Sequence, residues 1–252
     1  MEGGGFMIKF ENVSKVYPNG TKGLTNINLT IEQGEFVAII GTSGAGKSTL
    51  IRCVNGLNNI TQGNLLVNDT DVAKLKGKEL RQFRRHVGMI FQSYNLVPRA
   101  TVLKNVMFAR VPDMNLFKVI FGLFSKEDKL AALDSLNKVG ILDKAFIRAD
   151  QLSGGQQQRV SLARALTQDT DILLADEPVS ALDPVTAKEV MDDFKRINED
   201  LNKTILLNIH HVELALEYAS RIVAIKKGEI VYDGPSQNVT KEILDEVYRK
   251  EA

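Results

Sequence analysis

The chain is 252 residues long, 44% hydrophobic and 25% charged, which allows one large packed domain or two modest ones. Its 32 lysines and arginines stand against 31 aspartates and glutamates, a net charge of +1, so no broad positive field exists to hold DNA or RNA and no nucleic acid partner is expected. Cys53 is the only cysteine, which rules out an intrachain disulfide; on a helix it reads as a small buried hydrophobe.

The start, MEGGGFMIKF, lacks the apolar run of a signal peptide, and no segment approaches the ~20 apolar residues that span a bilayer. Residues 1–6 read as a flexible leader or cloning remnant, with Met7 as the natural start. Residues 24–31 alternate in their second half, Ile27, Leu29 and Ile31 against Asn28 and Thr30, which suits a half-exposed strand. FVAII at 36–40 is continuously apolar, as in a strand covered on both faces, and a glycine-rich turn and the helical pattern KSTLIRCVNGL follow.

VGMIF (87–91), DILLA (171–175), TILLNI (204–209) and RIVAI (221–225) read as further core strands. Asp183 and Pro184 make an N-cap and first-turn pair for a helix running through Asp200. This alternation predicts a mainly parallel sheet flanked by helices. Between 93 and 153 strand signals vanish, so a helical insertion is expected there. Within it Ser125 and Asp128 have capping-box spacing and Gly140 ends the helix they open. LFKVIFGLF at 116–124 is expected to be mostly a buried face of the insertion; the other reading is a partly exposed patch that docks a partner. His86, between Arg84 and Arg85 on one side and a strand on the other, reads as a surface residue.

GTSGAGKST at 41–49 satisfies G-x-x-x-x-G-K-[ST] through Gly41, Gly46, Lys47 and Ser48, after a buried strand and at the start of a helix. Such a loop, here Gly41, Thr42, Ser43, Gly44, Ala45 and Gly46 before Lys47, Ser48 and Thr49, turns backbone N–H groups inward around phosphate oxygens. Lys47 can reach the β- and γ-phosphates, and the Ser48 hydroxyl can bind Mg²⁺. Asp176 and Glu177 close the DILLA strand at the edge where parallel sheets bind ligands. Asp176 is placed to hold Mg²⁺ through water, and Glu177 to accept a proton from attacking water. A second anion-holding stretch, QLSGGQQQRVSLARAL at 151–166, has two glycines before a helix.

Residues 41–49, LSGGQ at 152–156 and LLADEP at 173–178, in that order, make the sequence resemble an ATPase subunit of an ATP-binding cassette (ABC) transporter over about residues 7–234. The resemblance implies an α/β fold: a P-loop NTPase (RecA-like) core with a parallel sheet from residues 7–92 and 157–234, and a small N-terminal antiparallel β subdomain. It further implies a helical signature subdomain over 93–156 and a helical tail over 235–252. It also implies ATP and Mg²⁺ as ligands and a homodimer paired head to tail. In that dimer Ser153, Gly154, Gly155 and Gln156 of one subunit cap the nucleotide held by the other's phosphate loop.

Other positions carry over singly. Tyr17 matches the aromatic residue that stacks on adenine, although packing inside the β subdomain is the competing role. Gln92 matches the glutamine that senses metal and attacking water, and Asp183 the aspartate of the loop crossing the dimer interface, which could also cap its own helix. The family's γ-phosphate histidine precedes an alanine by five positions, which selects His210, with Ala215, over His211. FGLFSKEDK in the insertion, the stretch at 176–198 and the tail KKGEIVYDGP resemble the ATPase subunits of phosphonate importers. Val179-Ser180-Ala181 and His211 depart from the usual residues there. Such a subunit would sit on the cytoplasmic face of the cell membrane, held by permease subunits and served indirectly by a periplasmic or extracellular solute-binding protein.

Overall fold

The computed structural model describes residues 6–249, without the side chains of Phe6 and Leu116. In chain order its strands are β1 (Phe6–Val16), β2 (Lys22–Glu32), β3 (Phe36–Ile40), β4 (Gln62–Val67), β5 (Thr70–Asp71), β6 (Val87–Ile90), β7 (Ile172–Asp176), β8 (Thr204–Asn208), β9 (Arg221–Lys226) and β10 (Glu229–Pro235). Its α-helices are α1 (Lys47–Val54), α2 (Gly77–Phe83), α3 (Val102–Met107), α4 (Leu116–Phe121), α5 (Lys126–Lys138), α6 (Gly154–Thr167), α7 (Pro184–Leu201), α8 (Val212–Tyr218) and α9 (Lys241–Tyr248).

The central sheet runs β10-β9-β3-β8-β7-β6, parallel throughout except that β10 pairs antiparallel with β9. Every residue of β3, β7 and β8 is buried, because both faces are covered. Alternate residues serve different cores, as the two-residue side-chain period requires. Val37, Ile39, Leu174, Leu206 and Val223 pack with α1 and the second sheet, whereas Ala38, Ile40, Leu173, Leu207 and Ala224 pack with α3, α5, α6 and α7. The second sheet, β2-β1-β4-β5, is antiparallel. Its β2 buries Leu24, Ile27, Leu29 and Ile31 and exposes Asn26, Asn28 and Glu32.

Between β6 and α6 the described backbone is helical, apart from turns and a single bridge from Thr101 to Arg148. In α5, Ser125 Oγ accepts from Asp128 N–H while the Asp128 side chain accepts from the Ser125 backbone; aspartate thus closes the box. Asp183 caps α7 by accepting from Val185 and Thr186 N–H, a contact of the kind that stabilises a helix by about 1 kcal/mol. Along α7, Val190, Met191 and Phe194 are fully buried, each side chain contributing on the order of 1.5–3 kcal/mol.

The structure overturns the expectation that residues 116–124 are mostly buried: Phe117, Ile120 and Phe121 are 64%, 68% and 62% exposed. The helix there has six residues, and Phe117, Val119, Ile120 and Phe121 spread widely around it with only Lys118 between them, so no single packing face can cover them. Phe117 and Phe121 instead lie against each other, ring centres 4.6 Å apart. The expected leader falls largely on residues 1–5, outside the described residues, but the backbone of Phe6 opens β1. Sequence reasoning also passed over β10, joined to β9 by Lys227 and Gly228, both with positive φ, as a tight hairpin turn requires. The described part of the C-terminal tail is helical in α9, which anchors through buried Val247.

No helix among the described residues is long and apolar enough to cross a membrane. Cys53 is 1% exposed on α1, and burial pushes its thiol up to about 12. The native chain should therefore resist iodoacetamide at pH 8 and take up one adduct in urea, as read by mass spectrometry; rapid labelling of the native chain would contradict the packing of α1.

Candidate functional site

The parallel registers carry three chain segments to one sheet edge. β3 ends in the glycine loop, β7 ends at Asp176, and β8 ends at Asn208 directly opposite it. Gly41 and Gly46 take φ of 147° and 112°, and a Cβ at either would come within 2.1 Å of Ile225 O or 2.3 Å of Gly23 O. Only glycine fits this turn. Gly46 offers no side-chain cap to α1, so the first N–H groups of that helix remain available to an anion.

Lys47, 4% exposed, donates from Nζ to Gly41 O at 2.8 Å and Thr42 O at 2.9 Å. Burial holds its ammonium below the ordinary lysine range, against the opposing pull of Glu177 and Asp176. Ser48 Oγ lies 2.8 Å from Asp176 Oδ1, and Arg52 grips Oδ2 from Nε at 3.2 Å and Nη2 at 3.0 Å. An oxygen pair of one hydroxyl and one carboxylate fits Mg²⁺, which takes few protein ligands beside substrate phosphates and water.

Glu177, at φ 55°, sits in the left-handed region that side chains avoid. Its N–H donates to Asn208 O at 3.0 Å and its carbonyl accepts from Ser180 Oγ at 3.1 Å. Thus held, its carboxylate reaches His210 Nε2 at 2.6 Å. An ionised carboxylate only accepts, so the proton of that contact is on Nε2. Gln92 is exposed and donates to Ser180 Oγ at 3.1 Å, one link removed from Glu177.

A cleft of about 250 Å³ gathers Tyr17, Ser43, Gly44, Ala45, Gly46, Lys47, Ser48, Thr49, Glu177 and His210, together with residues 21–23. Tyr17 stands at its wall with its hydroxyl 2.9 Å from Thr49 Oγ1 and 3.2 Å from Asn58 Nδ2, and Lys15 Nζ is 5.2 Å from its ring centre. His211 is outside this cleft, in the wall of another cavity with Leu182, Pro184 and Lys188. Neither Gln92, Asp183 nor residues 153–156 line the cleft. His86 is exposed.

The "ABC transporter" family description matches residues 24–180. The chain belongs to the ABC transporter family. Over 245 residues it is 90% identical to the "Phosphonates import ATP-binding protein PhnC" of Lactococcus lactis subsp. cremoris (strain SK11), covering 97% of this chain and 100% of that one. The protein of the same name from Staphylococcus aureus (strain USA300) is 55% identical, covering 96% and 94%. Among solved structures, the dimeric post-hydrolysis state of the ATP-binding cassette MJ0796 with ADP and Pi superposes with a TM-score of 0.80. That cassette is 36% identical, covering 92% of this chain and all of the other. As an ABC ATPase the chain hydrolyses ATP, and its P-loop fold is that of the family.

The ABC signature is itself a capping box: Ser153 Oγ accepts from Gln156 N–H, and the Gln156 side chain accepts from Ser153 N–H. The S-x-x-Q spacing could have revealed it in the sequence. Two further residues were missed, Arg52 and Asn208, both on Asp176; the signal for Asn208 was a polar residue ending an otherwise apolar run, where burial demands partners. Thr186 sits under the signature, its hydroxyl and N–H also holding the Asp183 carboxyl below its usual range. A Cβ on Gly155 would lie 2.1 Å from Thr186 Cγ2. Gly155→Ala should therefore lower stability by about 1–3 kcal/mol in thermal unfolding. In a helix free of that methyl the change would stabilise by about 1 kcal/mol, so adding Thr186→Ser should restore most of the loss.

Proposed function

We propose that this chain is the ATP-hydrolysing motor of an importer for phosphonates or related small phosphorus compounds. The observation that carries the ATPase chemistry is the meeting of Lys47, Ser48, Asp176, Glu177 and His210 at one sheet edge. The cargo is inferred from likeness to the phosphonate import proteins at 90% and 55% identity. The cargo itself would never touch this chain.

In this reading the loop from Gly41 to Thr49 cradles the phosphates, Lys47 leaves its two carbonyl partners for the β- and γ-phosphates, and Tyr17 stacks on adenine. Ser48 and Asp176 would hold Mg²⁺, which when bound would supply positive charge to offset that developing on the phosphate oxygens. The Glu177 oxygen not engaged by His210 accepts the proton of the attacking water. His210 then reaches the γ-phosphate, and Gln92, linked through Ser180 to Glu177, follows the metal and the water.

Residues 153–156 stand outside the cleft of their own chain, which favours a second copy as the one they serve. Two chains pairing head to tail would place Ser153, Gly154, Gly155 and Gln156 of each, with Asp183 near the crossing, over the other's nucleotide. Loss of the γ-phosphate then removes a contact that holds the pair shut. Permease subunits in the membrane would take up this motion through the helical region after Gln92, whose exposed Phe117, Ile120 and Phe121 offer apolar surface to a cytoplasmic loop. In this reading the chain works on the cytoplasmic face, with a solute-binding protein acting on the far side.

Glu177→Gln should keep ATP binding, slow hydrolysis at least ~100-fold and trap a dimer on size exclusion. Unchanged turnover would remove Glu177 from the mechanism. Lys47→Ala should instead weaken nucleotide binding, as measured by calorimetry. Purification from membranes should bring down a permease; ribosomal RNA in its place would overturn the transport reading.

A further inference from the structure

The Asn208 side chain is completely buried at the end of β8 and touches both groups assigned to the metal. Its Nδ2 donates to Asp176 Oδ1 at 2.7 Å and to Ser48 Oγ at 3.1 Å. The amide orientation is dictated by charge: turned over, its oxygen would face a carboxylate oxygen at the same short distance. Both N–H bonds are thereby used, and Oδ1 is left buried with no hydrogen-bond partner.

The consequence falls on Ser48. A hydroxyl has one proton and two lone pairs. Its proton goes to Asp176 Oδ1, and the Asn208 amide occupies one lone pair. One lone pair remains, so Ser48 can act toward a third group only as an acceptor, which is what a cation requires. Arg52 meanwhile occupies Asp176 Oδ2, so the carboxylate is held at both oxygens and cannot turn.

We propose that Asn208 is a positioning residue for the metal: its amide orients Ser48 and Asp176 together into a preformed acceptor pair for a divalent cation. The proposal rests on the MgATP reading of the cleft. Partners one step out from a metal's own ligands typically alter its affinity by about 10–100-fold when removed. Here the partner comes from the neighbouring strand in register, Asp176 opposite Asn208, so the pair is set by the sheet and not by a loop.

The test uses the full chain and the fluorescent analogue trinitrophenyl-ATP, titrated in EDTA and then with MgCl₂. Asn208→Leu, close in size but without donors, should bind the analogue in EDTA as the wild type does and need about tenfold more Mg²⁺ for half-maximal tightening. Asn208→Asp puts a second carboxylate against Asp176, and should move that midpoint to lower Mg²⁺. Opposite shifts from two side chains of similar size are not what a packing role produces. Midpoints unmoved, or moved the same way, would overturn the proposal while leaving the cleft's MgATP reading intact. Wild-type binding indifferent to Mg²⁺ would remove that reading, and the proposal with it. Should the leucine variant not fold, the aspartate variant decides alone: a midpoint that stays or rises overturns the proposal.

Discussion

A carboxylate withdrawn from water is costly unless its lone pairs are met by donors, and the Asp176 carboxylate is met from three directions. Ser48 and Arg52 reach it from α1, and Asn208 from β8. These contacts tie the glycine loop, the helix it opens and two neighbouring strands at one point. The rest of the site takes its position from that junction. Lys47 lies one residue before Ser48, Glu177 one residue after Asp176, and His210 two residues after Asn208.

Strain and order are arranged around the same junction. Glu177 occupies a backbone conformation that costs on the order of 1–3 kcal/mol and persists because its N–H and carbonyl are both held, by Asn208 and Ser180. That conformation turns its carboxylate from the strand toward His210 and the cleft. Lys47 waits on loop carbonyls, which a phosphate can replace with stronger, charge-assisted contacts. Lys47 and Glu177 thus line one cleft, each held by its own set of backbone contacts.

Legibility from sequence followed the range of the physical cause. FVAII, DILLA, TILLNI and RIVAI read as buried strands, and are buried strands, because covering both faces leaves no place for polar residues. The Ser125 and Asp183 caps were legible because their partners lie within three residues. The strand β10 was not, since its place at an antiparallel edge depends on a lysine-glycine turn where asparagine-glycine is the usual signal. The apolar run at 116–124 misled for the opposite reason: hydrophobicity announces burial, but a six-residue helix with only Lys118 as a polar side chain leaves Phe117, Ile120 and Phe121 exposed.

By itself the sequence determined the alternation of buried strands and helices, the glycine turn before Lys47 and Ser48, and the acidic pair that ends β7. Each follows from residues adjacent in the chain. Only the tertiary structure decided that Arg52 and Asn208 share one carboxylate, and that the signature helix starts away from the cleft. Those facts depend on the register of parallel strands separated by long crossovers, where the opposing residue is chosen by the packing of both sheet faces and not by any local pattern.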